Sequence, residues 1–114
     1  MSWELVVKDQ FSSAHFLEHY KGKCEKMHGH TFRIEAYFRV NELNPSGIGI
    51  DFIELKAFLK SLLPDHQVLN EVYDFSPSAE NLSRYFYEKI KEKYPVTKII
   101  LWESDYAGAI YPGD

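Results

Sequence analysis

The chain has 114 residues, 45% of them hydrophobic and 26% charged, so we expect a single globular domain spanning residues 1–114 around one core. Its formal charge of −4 argues against a nucleic-acid partner, because contact with phosphates requires a basic surface. One cysteine excludes an internal disulfide, the first residues lack a signal-peptide pattern, and no apolar run reaches the ~20 residues of a membrane span, so we expect a cytoplasmic protein with no membrane partner.

Two strands are predicted in the first forty residues. The first runs from Trp3 to Phe11 and is expected to continue to about Leu17. The second covers 31–40, where every other residue is apolar: Phe32, Ile34, Ala36, Phe38 and Val40. A period of two is typical of a strand with one buried face, so we expect these five side chains in the core.

Two helices are predicted after a turn at 41–49. The first begins at the N-cap residue Asp51, has Glu54 in the position of a capping box, and ends before Pro64. Its expected apolar stripe is Phe52, Leu55, Leu59 and Leu62. The second has Ser76 as its expected N-cap and Pro77 in its first turn, and it ends before Pro95. Its expected stripe is Leu82, Tyr85, Phe86 and Ile90.

A third strand, from about Val96 to Glu103, and a short fourth strand, Gly108 to Tyr111, complete the predicted elements. The order predicts an α+β fold: a four-stranded antiparallel sheet, with two helices inserted between strands 2 and 3 and packed on one face. The two edges of such a sheet favour oligomerisation, which would cover them.

A metal site is predicted around His28 and His30. Residues i and i+2 of an extended chain point to the same side, and Gly29 between them adds no side chain. A catalytic zinc commonly takes a third protein ligand and keeps an open position. The spacing leaves three candidates for that ligand: His15, His19 and Cys24. A surface His-x-His pair without a metal is the alternative, but four of the five histidines lie between residues 15 and 30, which favours a metal.

Cys24 is also a candidate general base. Lys23 and Lys26 flank it closely, and nearby cations or a metal lower the pKa of a thiol. The alternative is an inert small apolar residue, which is the usual role of a lone cysteine.

Two further acidic positions are candidates. Asp65 precedes His66 directly, and a carboxylate beside an imidazole orients it, although such a pair is often only part of a turn. Glu103 ends an apolar strand, where its carboxylate can accept two N–H donors from a flat ring edge or simply be solvated.

Taken together, these motifs resemble the 6-pyruvoyl-tetrahydropterin synthase family, which includes the 6-carboxy-tetrahydropterin synthases of queuosine biosynthesis. The resemblance covers nearly the whole chain, and its specificity lies in the order and spacing of six segments. They are Phe11–His15, Cys24 with His28–His30 after a three-residue spacer, Gly49–Phe52, Asp65–Asn70, Ser78–Leu82, and Glu103 followed by Ala107–Tyr111.

The resemblance implies a role for each candidate. It implies that Zn²⁺ is bound by His15, His28 and His30, and that Cys24 is the catalytic base, with Asp65 and His66 completing the proton-transfer group. Glu103 would anchor the pyrimidine edge of a pterin. It also implies the tunnelling fold, assembled as a homohexamer of two stacked trimers with active sites at subunit interfaces.

The short spacer between Cys24 and His28 resembles that of the queuosine-pathway enzymes. The implied reaction converts 7,8-dihydroneopterin triphosphate to 6-carboxy-5,6,7,8-tetrahydropterin, acetaldehyde and triphosphate. A 6-pyruvoyl-tetrahydropterin synthase, which releases triphosphate only, is the alternative within the family. From another class, a non-catalytic zinc-stabilised binding module predicts a closed four-ligand site that includes Cys24.

Overall fold

The computed structural model describes residues 1–21 and 25–114, so Cys24 lies outside the described residues. The strands form one antiparallel sheet in the order β1-β2-β3-β4. The three helices found in the described residues lie between β2 and β3 in the chain. The elements are β1 (Trp3–His15), β2 (His28–Val40), α1 (Phe52–Leu62), α2 (Leu69–Val72), α3 (Ala79–Lys91), β3 (Val96–Trp102) and β4 (Gly108–Tyr111). The predicted α+β architecture is confirmed, with the one-turn helix α2 as an element that the apolar pattern did not predict.

The core lies on one face of this sheet. All five alternating apolar residues of β2 are buried, as predicted, and all but Val40 belong to one core cluster with buried side chains of α1 and α3. Burial of each large apolar side chain contributes roughly 1.5–3 kcal/mol, so this face holds the helices to the sheet. The principal helical contributors are Leu55, Leu59, Leu82, Phe86 and Ile90.

Helix α1 begins as predicted, but two details differ. The Asp51 carboxylate accepts a hydrogen bond from the amide of Ile53 (2.9 Å), which makes it the N-cap. The Glu54 carboxylate accepts a hydrogen bond from the hydroxyl of Tyr94 (2.6 Å). In a capping box it would instead accept from the amide of the N-cap residue, so the predicted capping box does not form. Phe52 is 53% exposed and was wrongly placed in the apolar stripe, because it lines an open pocket with the 43–51 segment and the start of β1.

Helix α3 is capped by Ser78, and the prediction of Ser76 was wrong. The Ser78 hydroxyl accepts a hydrogen bond from the amide of Asn81 (3.2 Å), and Ser78 itself is extended, with ψ of 163°. Pro77 therefore precedes the helix, and its carbonyl is available to another partner. None of the described helices is long and apolar enough to cross a membrane.

Replacement of Ser78 by alanine is expected to lower the free energy of unfolding by about 1 kcal/mol, the usual cost of losing a side-chain N-cap. Urea denaturation of the purified variant measures this difference. Ser76→Ala is the matched control, because only the backbone carbonyl of Ser76 bonds to this helix. Equal losses in the two variants would contradict the assignment of Ser78 as the cap.

Candidate metal centre and active site

The pairing of β1 with β2 brings three histidines together at the end of the sheet. His15 lies directly opposite His28, and His30 lies opposite Ser13, two residues away on the same face. The ring centroids are 4.9 Å apart for His15 and His28, 5.1 Å for His15 and His30, and 4.7 Å for His28 and His30. One nitrogen from each ring lies within 4.8 Å of the others, so the group can hold a single metal ion.

Hydrogen bonds to backbone carbonyls select the nitrogen that each of two rings presents. Nδ1–H of His15 donates to the carbonyl of Pro77, and Nδ1–H of His28 donates to the carbonyl of Lys26, both at 2.8 Å. Each Nε2 is then left unprotonated, with its lone pair available to a metal. Backbone carbonyls are common second partners of metal-binding histidines because they fix both tautomer and ring orientation.

The burial of these nitrogens fits a metal ion. Nε2 of His15 and Nε2 of His30 are buried and have no hydrogen-bond partner within residues 1–21 and 25–114, and a buried polar atom in that state costs about 1–3 kcal/mol. The pKa of His30 is lowered, mainly because the side chain is buried. Glu103 acts in the opposite direction and raises this pKa, and the two neighbouring histidines lower it further. A neutral imidazole is the form that binds a metal, so these residues suit one.

Glu103 faces the same group. Its Oε2 lies 3.7 Å from Nε2 of His15 and its Oε1 lies 3.6 Å from Nε2 of His30. The carboxylate comes from the β3–β4 connection, where the Glu103 amide donates to the carbonyl of Ala107 (3.0 Å). Four of the candidate residues predicted from the sequence therefore lie together.

His19, one of the alternatives for the third ligand, is exposed and lies outside the histidine group. Cys24, the other alternative and the candidate base, falls on residues that are not described.

Asp65 and His66 form a pair at the outer edge of β1. Nδ1–H of His66 donates to Oδ2 of Asp65 (2.7 Å), and the amide of Ser12 donates to Oδ1 (2.8 Å). The His66 amide donates to the carbonyl of Ser12 (2.6 Å), which attaches this loop to the strand. The His66 side chain is 83% exposed, and within residues 1–21 and 25–114 no hydrogen bond or ion pair joins it to the three histidines.

The Asp65 pair predicts a pH dependence of stability. The hydrogen bond from the Ser12 amide, and then that from His66, lower the pKa of Asp65 below its ordinary value of 3.8. A carboxyl whose pKa is lowered by folding contributes its full stabilisation at pH values above its unfolded-state pKa. That contribution is lost as pH falls through the lower pKa of the folded state. We therefore expect Asp65→Asn to be less stable than the parent protein at pH 6, with the difference narrowing as pH falls below 3.8.

Urea denaturation at a series of pH values from 6 downward measures the effect, with Glu42→Gln, an exposed carboxylate of the 41–49 turn, as the control. A difference between Asp65→Asn and the parent that stays constant with pH would contradict it.

Two contributors to the site were not predicted from the sequence. The carbonyl of Pro77 orients His15, and a backbone carbonyl leaves no signal in residue type. The Asn70 side chain accepts from the amide of Phe16 (3.0 Å) and donates to its carbonyl (2.9 Å), which fixes the chain just after His15. Asn70 belongs to a segment that carried the family resemblance. The sequence therefore marked this residue as a candidate, but it did not indicate that the side chain would fix the backbone after His15.

Comparison with known proteins identifies the family to which the chain is similar. The family model described as 6-pyruvoyl tetrahydropterin synthase matches residues 4–114. The 6-carboxy-5,6,7,8-tetrahydropterin synthase of Synechocystis is 34% identical over 98 residues, which covers 79% of this chain and 76% of that relative. The enzyme of the same name from Haemophilus influenzae is 27% identical, with 82% of this chain and 87% of that relative covered.

Among solved structures, that of Caenorhabditis elegans 6-pyruvoyl tetrahydropterin synthase is similar with a TM-score of 0.84. The match covers 100% of this chain and 97% of the Caenorhabditis elegans chain, at 23% identity, so this likeness supports the fold alone. The predicted tunnelling fold is confirmed by this neighbour together with the strand order described above.

Proposed function

Since this chain belongs to the 6-pyruvoyl tetrahydropterin synthase family, we propose that it is a zinc-dependent lyase of queuosine biosynthesis. It would convert 7,8-dihydroneopterin triphosphate to 6-carboxy-5,6,7,8-tetrahydropterin, acetaldehyde and triphosphate. The observation that carries the proposal is the group of three histidines beside a carboxylate, in which two buried nitrogens have no hydrogen-bond partner among the residues that the structure describes. The names of the curated relatives support the 6-carboxy product.

In this proposal His15, His28 and His30 hold the zinc ion. Bound there, zinc supplies Lewis-acid polarisation of the substrate's side-chain oxygens, which makes the adjacent C–H bond more acidic. The thiolate of Cys24 removes or relays that proton. A thiolate suits this role because the flanking lysines and the nearby cation lower the pKa of the thiol.

Asp65 and His66 serve the opposite face of the substrate. With Nδ1–H held by Asp65, Nε2 of His66 is free to accept or return a proton. Glu103 accepts paired N–H donors from the pyrimidine edge of the pterin, which places the reacting carbon between metal and base.

The exposure of His66 supports a site completed by another subunit. Its imidazole has no hydrogen bond or ion pair with the histidine group of its own chain in the part that the structure describes, which suits a role at the substrate of a neighbouring copy. We propose a homohexamer of two stacked trimers with interfacial active sites, in the cytoplasm. The outer positions of β1 and β4 in the sheet support such pairing between copies.

Incubation of the zinc-loaded protein with 7,8-dihydroneopterin triphosphate tests the function. We expect equimolar acetaldehyde and 6-carboxy-5,6,7,8-tetrahydropterin, with neither formed by His28→Ala. Triphosphate release with a 6-pyruvoyl product and no acetaldehyde would instead identify a 6-pyruvoyl-tetrahydropterin synthase. Tight zinc binding without any turnover would identify a zinc-stabilised binding module.

Cys24→Ala tests the thiol separately. The proposal expects turnover to fall by about 10²–10⁴-fold, the usual contribution of a general base, while zinc stays bound. Full turnover by the zinc-loaded variant would refute the role of the thiol.

A further inference from the structure

We propose that Ser13 is a positioning residue for His66. This inference rests on the proposed function, in which His66 handles a proton, and adds the residue that holds this histidine in place. Ser13 is only 7% exposed, although serine is usually found at the surface. Its hydroxyl donates a hydrogen bond to the carbonyl of Pro64 and accepts one from the amide of Gln67 (3.1 Å).

These two hydrogen bonds lie on either side of the Asp65–His66 pair. A single oxygen atom contacts the backbone one residue before the pair and one residue after it, so residues 64 and 67 are held close together. In an extended chain they would lie about 10 Å apart. The chain between them must therefore turn, and within this turn His66 has a φ of 57°, in the left-handed region.

The conformation of His66 needs support from its surroundings. A left-handed φ is uncommon in residues that have a Cβ, and such a backbone persists only where neighbouring contacts fix it. The imidazole is 83% exposed, so packing around the side chain does not supply this support. Its hydrogen bond to Asp65 joins it only to the adjacent residue. Contacts between the backbone of this loop and β1 therefore determine where the imidazole lies.

Three consecutive residues of β1 make these contacts. The Ser12 carbonyl accepts from the His66 amide (2.6 Å), and the Ala14 amide donates to the Gln67 carbonyl (2.9 Å). Both of these bonds use backbone atoms of β1, so a change of side chain leaves them in place. The contact of Ser13 uses a buried side chain, and its removal would leave the loop's carbonyl and amide without that partner. Ser13 is thus the residue of β1 whose side chain controls the position of His66.

Steady-state kinetics of zinc-loaded Ser13→Ala test the inference. We expect kcat to fall about tenfold, which corresponds to the usual net contribution of one or two hydrogen bonds. We expect KM to stay within about twofold of the parent value, and zinc to stay at one ion per chain, because the variant keeps Glu103 and the three histidines. Ser83→Ala is the matched control for the loss of a buried serine hydroxyl, because Ser83 is 1% exposed and donates to the Glu80 carbonyl within α3 (2.8 Å).

Amide hydrogen exchange gives a second readout that needs no activity. In Ser13→Ala the Gln67 amide loses its acceptor, so we expect exchange at residues 65–67 to be about 2–10-fold faster than in the parent protein. Exchange at these residues and kcat should both be parent-like in Ser83→Ala.

Parent-like kcat or parent-like exchange in Ser13→Ala would overturn the inference and leave the proposed function intact. Equal falls of kcat in the two variants would overturn it as well, because they would report a general loss of stability. Loss of zinc from Ser13→Ala would also overturn it, since the substitution would then act through the metal site. A parent protein without turnover would overturn both the inference and the proposed function on which it rests.

Discussion

Replacement of His28 by alanine is expected to abolish stoichiometric zinc binding and, with it, turnover. One of three imidazole ligands is lost, and the affinity should fall by at least about 100-fold, because changes to the partners of metal ligands already cost 10–100-fold. His28 is the most informative of the three, since its side chain is partly exposed and its removal leaves the core unchanged. Zinc content after gel filtration against a competing chelator measures the effect.

His19→Asn is the matched control for this prediction. His19 is an exposed histidine with a positive φ of 61°, which asparagine tolerates, and it lies outside the histidine group. It should retain one zinc per chain and full turnover. Zinc retention by His28→Ala, or zinc loss by His19→Asn, would contradict the assignment of ligands.

Replacement of Phe32 by alanine is expected to lower the free energy of unfolding by about 3–5 kcal/mol, the usual cost of emptying a fully buried phenylalanine site. The side chain is completely buried, and its ring stacks on Phe11 with centroids 4.9 Å apart. It also meets the rings of His15 and His30 edge to face, at 5.4 and 5.6 Å. The cavity would therefore adjoin the metal ligands, and zinc affinity should fall together with stability.

Urea denaturation of the metal-free protein measures the loss of stability, and chelator competition measures the loss of zinc affinity. Tyr106→Ala is the control, because this aromatic side chain is 93% exposed and its removal should change stability by less than about 0.5 kcal/mol. A loss below 1 kcal/mol in Phe32→Ala would mean that Phe32 does not support the core beneath the metal site.

Much of the fold was predictable because the local pattern and the tertiary environment agree. The alternation along β2 identified its buried face, and the same period placed His28 and His30 on one side of the strand. The third ligand was different. Its identity depends on the register between β1 and β2, which places His15 opposite His28, and spacing alone left other candidates open. Spacing favoured His15 over His19 and Cys24 without excluding them, and the family resemblance then selected it.

The remaining differences arise from interactions that residue type does not report. Ser78 and Ser76 are equally good caps by composition, and only the backbone path around Pro77 decides between them. Helix α2 has a single turn, too short to produce a helical period. The approach of Glu103 to the histidines depends on the pairing of β2 with β3, which residue type does not report.

X-ray absorption at the zinc edge of the substrate-free protein tests most directly whether this is an open catalytic metal centre. We predict three imidazole nitrogens at about 2.0–2.1 Å with one additional oxygen ligand, and no sulfur in the first shell. A zinc–sulfur distance of about 2.3 Å would contradict this, because it would place Cys24 on the metal in the closed site of a binding module.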